Sequence, residues 1–350
     1  MDTCIYYLRF KGPIHFGHEG IGLEEAEEYL PSDSLTSALI NAFSILEGPD
    51  ETAKMVDDLS GPAPSFILSS LFPYGPEREE HSRIVEAVVR PIVNPPVENR
   101  ETLRKWSKDL KRLHYLHPQD FSRWIGTKPL GEGEINRMIQ RSGSFAKGWW
   151  EEELRPRVAI DRESQNSSVW GQACIWFKNR ETDSKGKIVC EGAGLYGLLC
   201  FSDEKWLDRL ASAFKILGDS GLGGERTYGM GLFGFGGFIE LPAHWKSLFE
   251  SKTNRHVFLS VYYPAETERE ELRNSLEAWD AVERRGFIVS GRNTMTIKRK
   301  RVRMIREGSV SRKNLTGTLV DVTPNNPEKL GITHKIYRSG LAFLLPGGGK

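Results

Sequence analysis

The stretch Gly218-Asp219-Ser220-Gly221-Leu222-Gly223-Gly224-Glu225-Arg226-Thr227-Tyr228-Gly229-Met230-Gly231, running on into Leu232-Phe233-Gly234, decides between fold classes. Its last part, Gly229 to Gly234, has the spacing GxGxxG. A dinucleotide-binding turn of that spacing leaves a strand and opens a helix. Here the order is reversed. Leu207, Leu210, Phe214 and Leu217 recur at helical spacing before the loop, and the apolar run through Leu241 after it reads as a strand. No GK[ST] ends the loop, so a P-loop is excluded too. Six of the fourteen residues from Gly218 to Gly231 are glycine. Without Cβ atoms such a backbone can approach a ligand closely and turn N–H groups toward an anion, with Arg226 as a phosphate fork. The same composition also suits a flexible linker.

Working outward toward the N-terminus, Gly194 to Phe201 and Val169 to Phe177 read as strands joined by the polar stretch Lys178 to Gly186, and a helix starts near Ser202 or Asp203. At the start of the chain, Cys4, Tyr6, Leu8 and Phe10 alternate with Ile5, Tyr7, Arg9 and Lys11, the pattern of a half-buried strand. Pro31-Ser32-Asp33-Ser34 then offers cap residues for a helix with Leu35, Leu39, Ala42 and Leu46 on one face. Ser65 to Phe72 is a further strand candidate. From Pro73 to about Pro156 the chain turns into Pro-broken, charged helical pieces, the character of an insertion. In it Leu103, Trp106, Leu110 and Leu113 share a helical face opposite Arg104, Lys105, Lys108, Lys111 and Arg112. With that insertion set aside, the order is β-α-β-β-α-β, the ferredoxin-like order.

Beyond Leu241 a second unit of the same kind is expected. His256 to Tyr263 reads as its first strand, and Thr267-x-x-Glu270 as the capping box of a helix carrying Leu272, Leu276 and Trp279. The rest is strand-like and turn-rich. In it Lys298-Arg299-Lys300-Arg301-Val302-Arg303 is a basic strand that would project Arg299, Arg301 and Arg303 from one face and Lys298 and Lys300 from the other. From Arg285 to Lys313 the only acid is Glu307. Such a run can track successive phosphates, or simply guard a sheet edge.

Length and composition bound these readings. A chain of 350 residues with 39% apolar content suits two domains. A net charge of +1 from 48 Lys and Arg against 47 Asp and Glu means that any nucleic-acid surface must come from local clustering. Four cysteines, Cys4, Cys174, Cys190 and Cys200, show no CxxC spacing, so neither a zinc site nor a disulfide framework is implied, and no cofactor or metal is expected. No signal peptide or membrane span is legible, which implies a soluble, cytoplasmic protein.

Two further sets bear on chemistry. Phe233, Phe235 and Phe238 follow the glycine loop and are candidates for base stacking, though core packing is the simpler reading. His15 and His18 sit in a Gly-rich loop, where imidazoles could cleave RNA through the 2′-hydroxyl or only hydrogen-bond. No second base is evident. Asp161, flanked by arginines, reads as a structural ion-pair partner.

A series of blocks, in order, resembles a known family. It runs through Leu8-Arg9-Phe10-Lys11-Gly12-Pro13-Ile14-His15-Phe16-Gly17, Pro31 to Leu35, Arg157-Val158-Ala159-Ile160-Asp161-Arg162 and Gly194-Leu195-Tyr196. It continues through Gly221 to Gly231, Lys300 to Met304 with Glu307-Gly308-Ser309-Val310, Leu319 to Pro324, and Tyr337 to Phe343. Together these resemble the RAMP proteins of CRISPR systems, and among them subunit four of the type III-A Csm effector complex. The resemblance implies an α+β protein of two ferredoxin-like (RRM-like) domains. The first, 1–242, carries the glycine loop and a helical, charged insertion or thumb at about 75–155, and the second, 253–350, is degenerate and carries the basic strand. It implies a non-catalytic subunit that binds the 5′ repeat-derived handle of the CRISPR RNA, touches target RNA indirectly, and bridges the large polymerase-like subunit to a backbone RAMP subunit, with no membrane partner. The residues expected to bind RNA are His15, Phe16, Gly17, Gly221, Gly223, Gly224, Arg226, Gly229, Gly231, Arg292, Lys298, Arg299, Arg301 and Arg303. The competing reading is a metal-independent endoribonuclease that matures CRISPR RNA with His15 or His18.

Overall fold

β1 (Asp2–Phe10) takes the alternating N-terminal segment into the middle of a sheet. Alternation predicts one buried face, but Ile5 is as fully buried as Tyr6. Both faces of the strand are covered: Tyr6 meets Phe214 and Phe238, while Tyr7 meets Tyr74 and donates a hydrogen bond to Glu86. The computed structural model describes residues 1–17, 23–163, 166–250, 254–288 and 297–346, and it shows an α+β protein with several antiparallel sheets.

The main sheet is built from β1, β2 (Phe66–Leu68), β3 (Phe72–Pro76), β4 (Ile84–Glu86), β5 (Gly194–Phe201) and β6 (Phe233–Glu240). Its order is β6-β1-β5-β3-β4, with β2 also pairing β5, and all these pairs are antiparallel. α1 (Ser32–Ser60) and α5 (Lys205–Ser220) pack against each other, and α5 packs on β6. The expected face of α1 buries Leu35, Leu39 and Ala42, but Leu46 is exposed. The helix breaks there, because Gly48 has φ +83° and Pro49 follows it. The predicted cap is also supplied differently: Ser70 Oγ, in the link between β2 and β3, accepts from the Ser32 N–H at 2.9 Å.

The segment between β4 and β5 holds α2 (Arg100–Arg112), α3 (Pro118–Ile125) and α4 (Glu132–Ser142). Asn99 caps α2 by accepting from the Thr102 N–H at 2.8 Å. The helical reading of the insertion does not extend to its end. Trp150–Ile160 and Ser167–Phe177 form a long two-stranded hairpin, paired residue for residue from Trp150↔Phe177 to Ile160↔Ser167. Arg157 to Asp161 therefore lie toward its tip.

α6 (Ala243–Phe249) leads to the second half. There a four-stranded sheet runs, in order, Leu276–Ala278, Val310–Ser311, His256–Phe258, Leu344–Pro346. The helix expected from Thr267 and Glu270 is not formed. Instead Glu268 is the capping acid of a 3-10 turn, Glu266–Glu268, taking the Ala265 N–H at 3.0 Å, and only Leu272–Ser275 is helical before Leu276 enters a strand. Glu268 also accepts from the Thr316 and Gly317 N–H groups, so its carboxylate ties down a distant loop rather than starting a helix. Trp279 is exposed.

Candidate nucleic-acid interface

The glycine loop leaves α5 and enters β6, as the spacing argument requires. Its backbone is pinned at four points. The Gly221 N–H bonds Leu217 O at 2.8 Å, Leu222 N–H bonds Gly231 O at 3.0 Å, Gly224 N–H bonds His15 O at 2.9 Å, and Gly231 N–H bonds Pro13 O at 2.9 Å. A linker would show no such bonds. The close approach that the glycines permit is to the chain itself: a Cβ on Gly223 would stand 2.5 Å from the Phe16 ring, and one on Gly231 would overlap Leu222 O. Gly229 lies in open space, and Arg226 starts the short turn Arg226–Tyr228 on the exposed side.

His15 is buried, and its Nδ1 lies 2.8 Å from Ala173 O. A carbonyl only accepts, so Nδ1 carries the proton. Phe16 is buried against Phe10 and is not presented for stacking. The three phenylalanines of β6 are likewise internal, since Phe235 stacks on Phe214 at 4.9 Å, Phe238 packs against Tyr6, and Phe233 is buried against Phe10. Core packing is what they do.

Between the two halves lies a cavity of about 600 Å³. The first half contributes His15, Gly17, Gly224 and Glu225, and the second contributes Arg285, Phe287, Lys298, Arg299 and Arg301. The basic run does not keep strand alternation. The Arg299 N–H still bonds Gly286 O in the register of the Phe287↔Lys298 pair, but the Lys300 N–H turns to Val322 O and strand pairing resumes only at Val302. Lys298, Arg299 and Arg301 consequently share one cavity instead of splitting between two faces. Arg303 is exposed and off the cavity, in register with Glu283. Arg292 and His18 lie outside the described residues.

Sequence reading missed Arg285, Glu225 and Phe287, the last an exposed aromatic at the cavity. Nothing local marks Arg285; tertiary folding alone brings it here. The hairpin was missed as well, although Leu154, Val158 and Ile160 sit at alternate positions in a charged stretch. These three side chains and Val169 are exposed. The hairpin is rooted beside the cavity through the bridge Ile14↔Ile175. Arg157 lies over the Tyr228 ring of the glycine loop at 4.7 Å and donates to Gln172 at 2.6 Å.

Below the cavity the halves are joined by a buried ion cluster. Asp33, fully buried, accepts from Arg284 at 3.0 and 3.1 Å and from Arg338. Burial alone would raise the Asp33 pKa, but Arg284 and Arg338 outweigh it and hold the carboxyl below its ordinary range. Arg338 also donates to Arg285 O. Glu307, buried nearby, accepts from Ser70, and burial pushes its carboxyl upward. Among the described residues no group of three or more His, Cys, Asp or Glu side chains could hold a metal ion, and no helix is long and apolar enough to cross a membrane.

Residues 251–347 match the family model described as CRISPR Csm4 C-terminal domain. A Methanocaldococcus jannaschii protein described as CRISPR system Cms protein Csm4 is 23% identical over 384 residues, covering 99% of this chain and 97% of its own. A Thermococcus onnurineus protein of the same description is 25% identical, covering 90% of each chain. Among solved structures, a chain of a Csm1–Csm4 cassette in complex with pppApA shares the fold with a TM-score of 0.59 at 21% identity, covering 98% of this chain and 97% of that one. A chain of a Csm3–Csm4 subcomplex from a type III-A CRISPR interference complex does so with a TM-score of 0.57 at 18% identity, covering 99% of each. These similarities all point to one class of protein, the subunits of type III CRISPR effector complexes. Within that class, residues 251–347 match the Csm4 C-terminal domain family, and nearly the whole chain is similar to proteins described as Csm4.

Proposed function

We propose that this chain is a non-catalytic subunit that holds the 5′ repeat-derived handle of the CRISPR RNA in the cavity between its halves, each half being an RRM-like unit, the second degenerate. The observation that carries this reading is the convergence of Lys298, Arg299 and Arg301 on a cavity walled by the pinned glycine loop. Lys298 and Arg301 have no carboxylate partner among the described residues, so their charge is available to phosphates. Phe287 adds an exposed ring on which a base could stack. The rooted hairpin serves as the thumb, with its exposed apolar side chains extending the interface. Fold relatives crystallised with Csm1 and with Csm3 support the large subunit and a backbone subunit as partners. His15 acts here as an anchor, since its Nδ1 proton is committed to Ala173 O.

The test is guide-RNA retention by the assembled complex carrying Lys298→Ala and Arg301→Ala. Both residues are exposed, so the fold is expected to survive. RNA affinity should fall and the slope of log K against log salt should shrink by about one for each residue removed. Unchanged retention and slope would sink the proposal. Cleavage of repeat RNA by the isolated chain in EDTA, lost on replacing His15, would favour the nuclease instead.

A further inference from the structure

Three guanidinium groups lie around one carboxylate, Asp33, at the junction of the halves, and only two of them bond it. Arg284 and Arg338 are spent on Asp33; Arg338 is buried, to 4% exposure, and Arg284 is mostly covered. Arg299 is the third. Its backbone is tied to Gly286 O, one residue from the Arg285 carbonyl that holds Arg338. Its Nε, like that of Arg338, has no hydrogen-bond partner among the described residues, but unlike Arg338 it has no carboxylate bonded to it either. Burial, then repulsion from Arg338, lowers the Arg299 pKa to about 10. The other nearby acid, Glu307, is engaged by Ser70.

Arg299 also faces outward in two directions. It lines the interdomain cavity and a second cavity of about 580 Å³ between the two arms of the kinked α1 and residues 333–337. A partly buried cation with two arginine neighbours and an unmatched donor is short of one counter-charge. Solvent openings on either side give an anion a way in.

We propose that Arg299 seats a single phosphate of the bound RNA, and that this phosphate supplies the counter-charge the junction lacks. RNA binding and tight docking of the two halves are then one event. This rests on the RNA-binding reading above and deepens it: the arginines are unequal, with Arg299 coupling RNA to the fold and Arg301 and Arg303 adding only surface attraction.

The experiment compares the full chain with its Arg299→Met, Arg303→Met and Lys298→Ala/Arg301→Ala variants. Thermal midpoint is recorded alone, with a single-stranded RNA of repeat sequence, and with inorganic phosphate at matched phosphate concentration. RNA should raise the midpoint of the wild type, as any ligand of the folded state does. Arg299→Met, which keeps the apolar stem but not the charge, should melt no lower than wild type without RNA, lose the RNA-dependent rise, and bind RNA about ten- to a hundredfold more weakly. Arg303→Met should keep the rise. A variant Arg299→Met that melts lower alone but binds RNA normally would overturn the inference and leave Arg299 a structural residue. If Lys298→Ala/Arg301→Ala weakens binding while Arg299→Met does not, only this inference fails. If neither weakens it, the RNA-binding reading fails first. A rise of equal size with inorganic phosphate would overturn the assignment to RNA.

Discussion

The two halves of the molecule are held together on different principles. In the first, strands of eight and nine residues pair in one sheet, and α1 and α5 cover it with a continuous apolar core. In the second, the four-stranded sheet uses strands of two and three residues, and among the described residues the one α-helix past Arg255 has four. Its private apolar clusters are small, such as Val261, Val302, Met304 and Val322, whereas Val257, Leu259, Val310 and Phe343 belong to the core of the first half. Polar sutures repeat the pattern: Ser70 N–H to Leu259 O at 2.7 Å, Val261 N–H to Ser32 Oγ at 3.2 Å, and Ile92 N–H to Gly308 O at 2.8 Å. Short strands bury too little of their own surface to offset the entropy of ordering them. The second half therefore folds onto the first.

The sharpest way to break this comparison is Asp33→Ala, which leaves the buried Arg338 and the largely covered Arg284 without a counter-ion. Breaking such a cluster costs about 3–5 kcal/mol. Denaturant titration should show that loss, and limited proteolysis should place the new cuts beyond residue 250. Cuts spread evenly over both halves would show that they do not differ. Next in size is Gly231→Ala, within the first half. Its φ of +78° and the Leu222 carbonyl in the way of a Cβ should cost about 1–3 kcal/mol. RNA affinity should fall with it, while protease resistance beyond residue 250 stays as in wild type.

The smallest effect concerns pH and the helices between β4 and β5. His117 is buried and caps α3 by accepting from the Gln119 N–H; burial, then Arg141, lower its pKa to about 4. Its folded pKa lies below the unfolded value of about 6.5, so the unfolded chain takes up the proton first. The stability from the neutral ring is fully present above about pH 6.5 and is lost as pH falls toward about 4. Between about pH 7.5 and 5.5 the loss should be about 1 kcal/mol. His117→Asn keeps a capping acceptor and should flatten that slope in thermal melts.

Much of the first half was legible because its signals are local and periodic. β5 runs over Gly194–Phe201 as read, and Leu210, Phe214 and Leu217 are the buried face of α5. The second half misled because Thr267 and Glu270 have the spacing of a capping box, while the chain folds around Glu268 to satisfy a loop 48 residues away. At the interface, Lys298 and Arg301 were found from composition, but the alternation assigned to them was lost where the backbone leaves its partner strand and Val322 takes the Lys300 N–H.

The sequence by itself determined the direction of the glycine loop, the helix and strands that flank it, and the presence of a basic run near the C-terminus, because spacing and composition act over a few residues. Only the tertiary structure decided that the glycines make room for His15 and Phe16, that Lys298, Arg299 and Arg301 meet in one cavity, and that Asp33 is shared between distant arginines. Those outcomes depend on which segments approach each other in space, and on charges that become costly only once water has been excluded from between them.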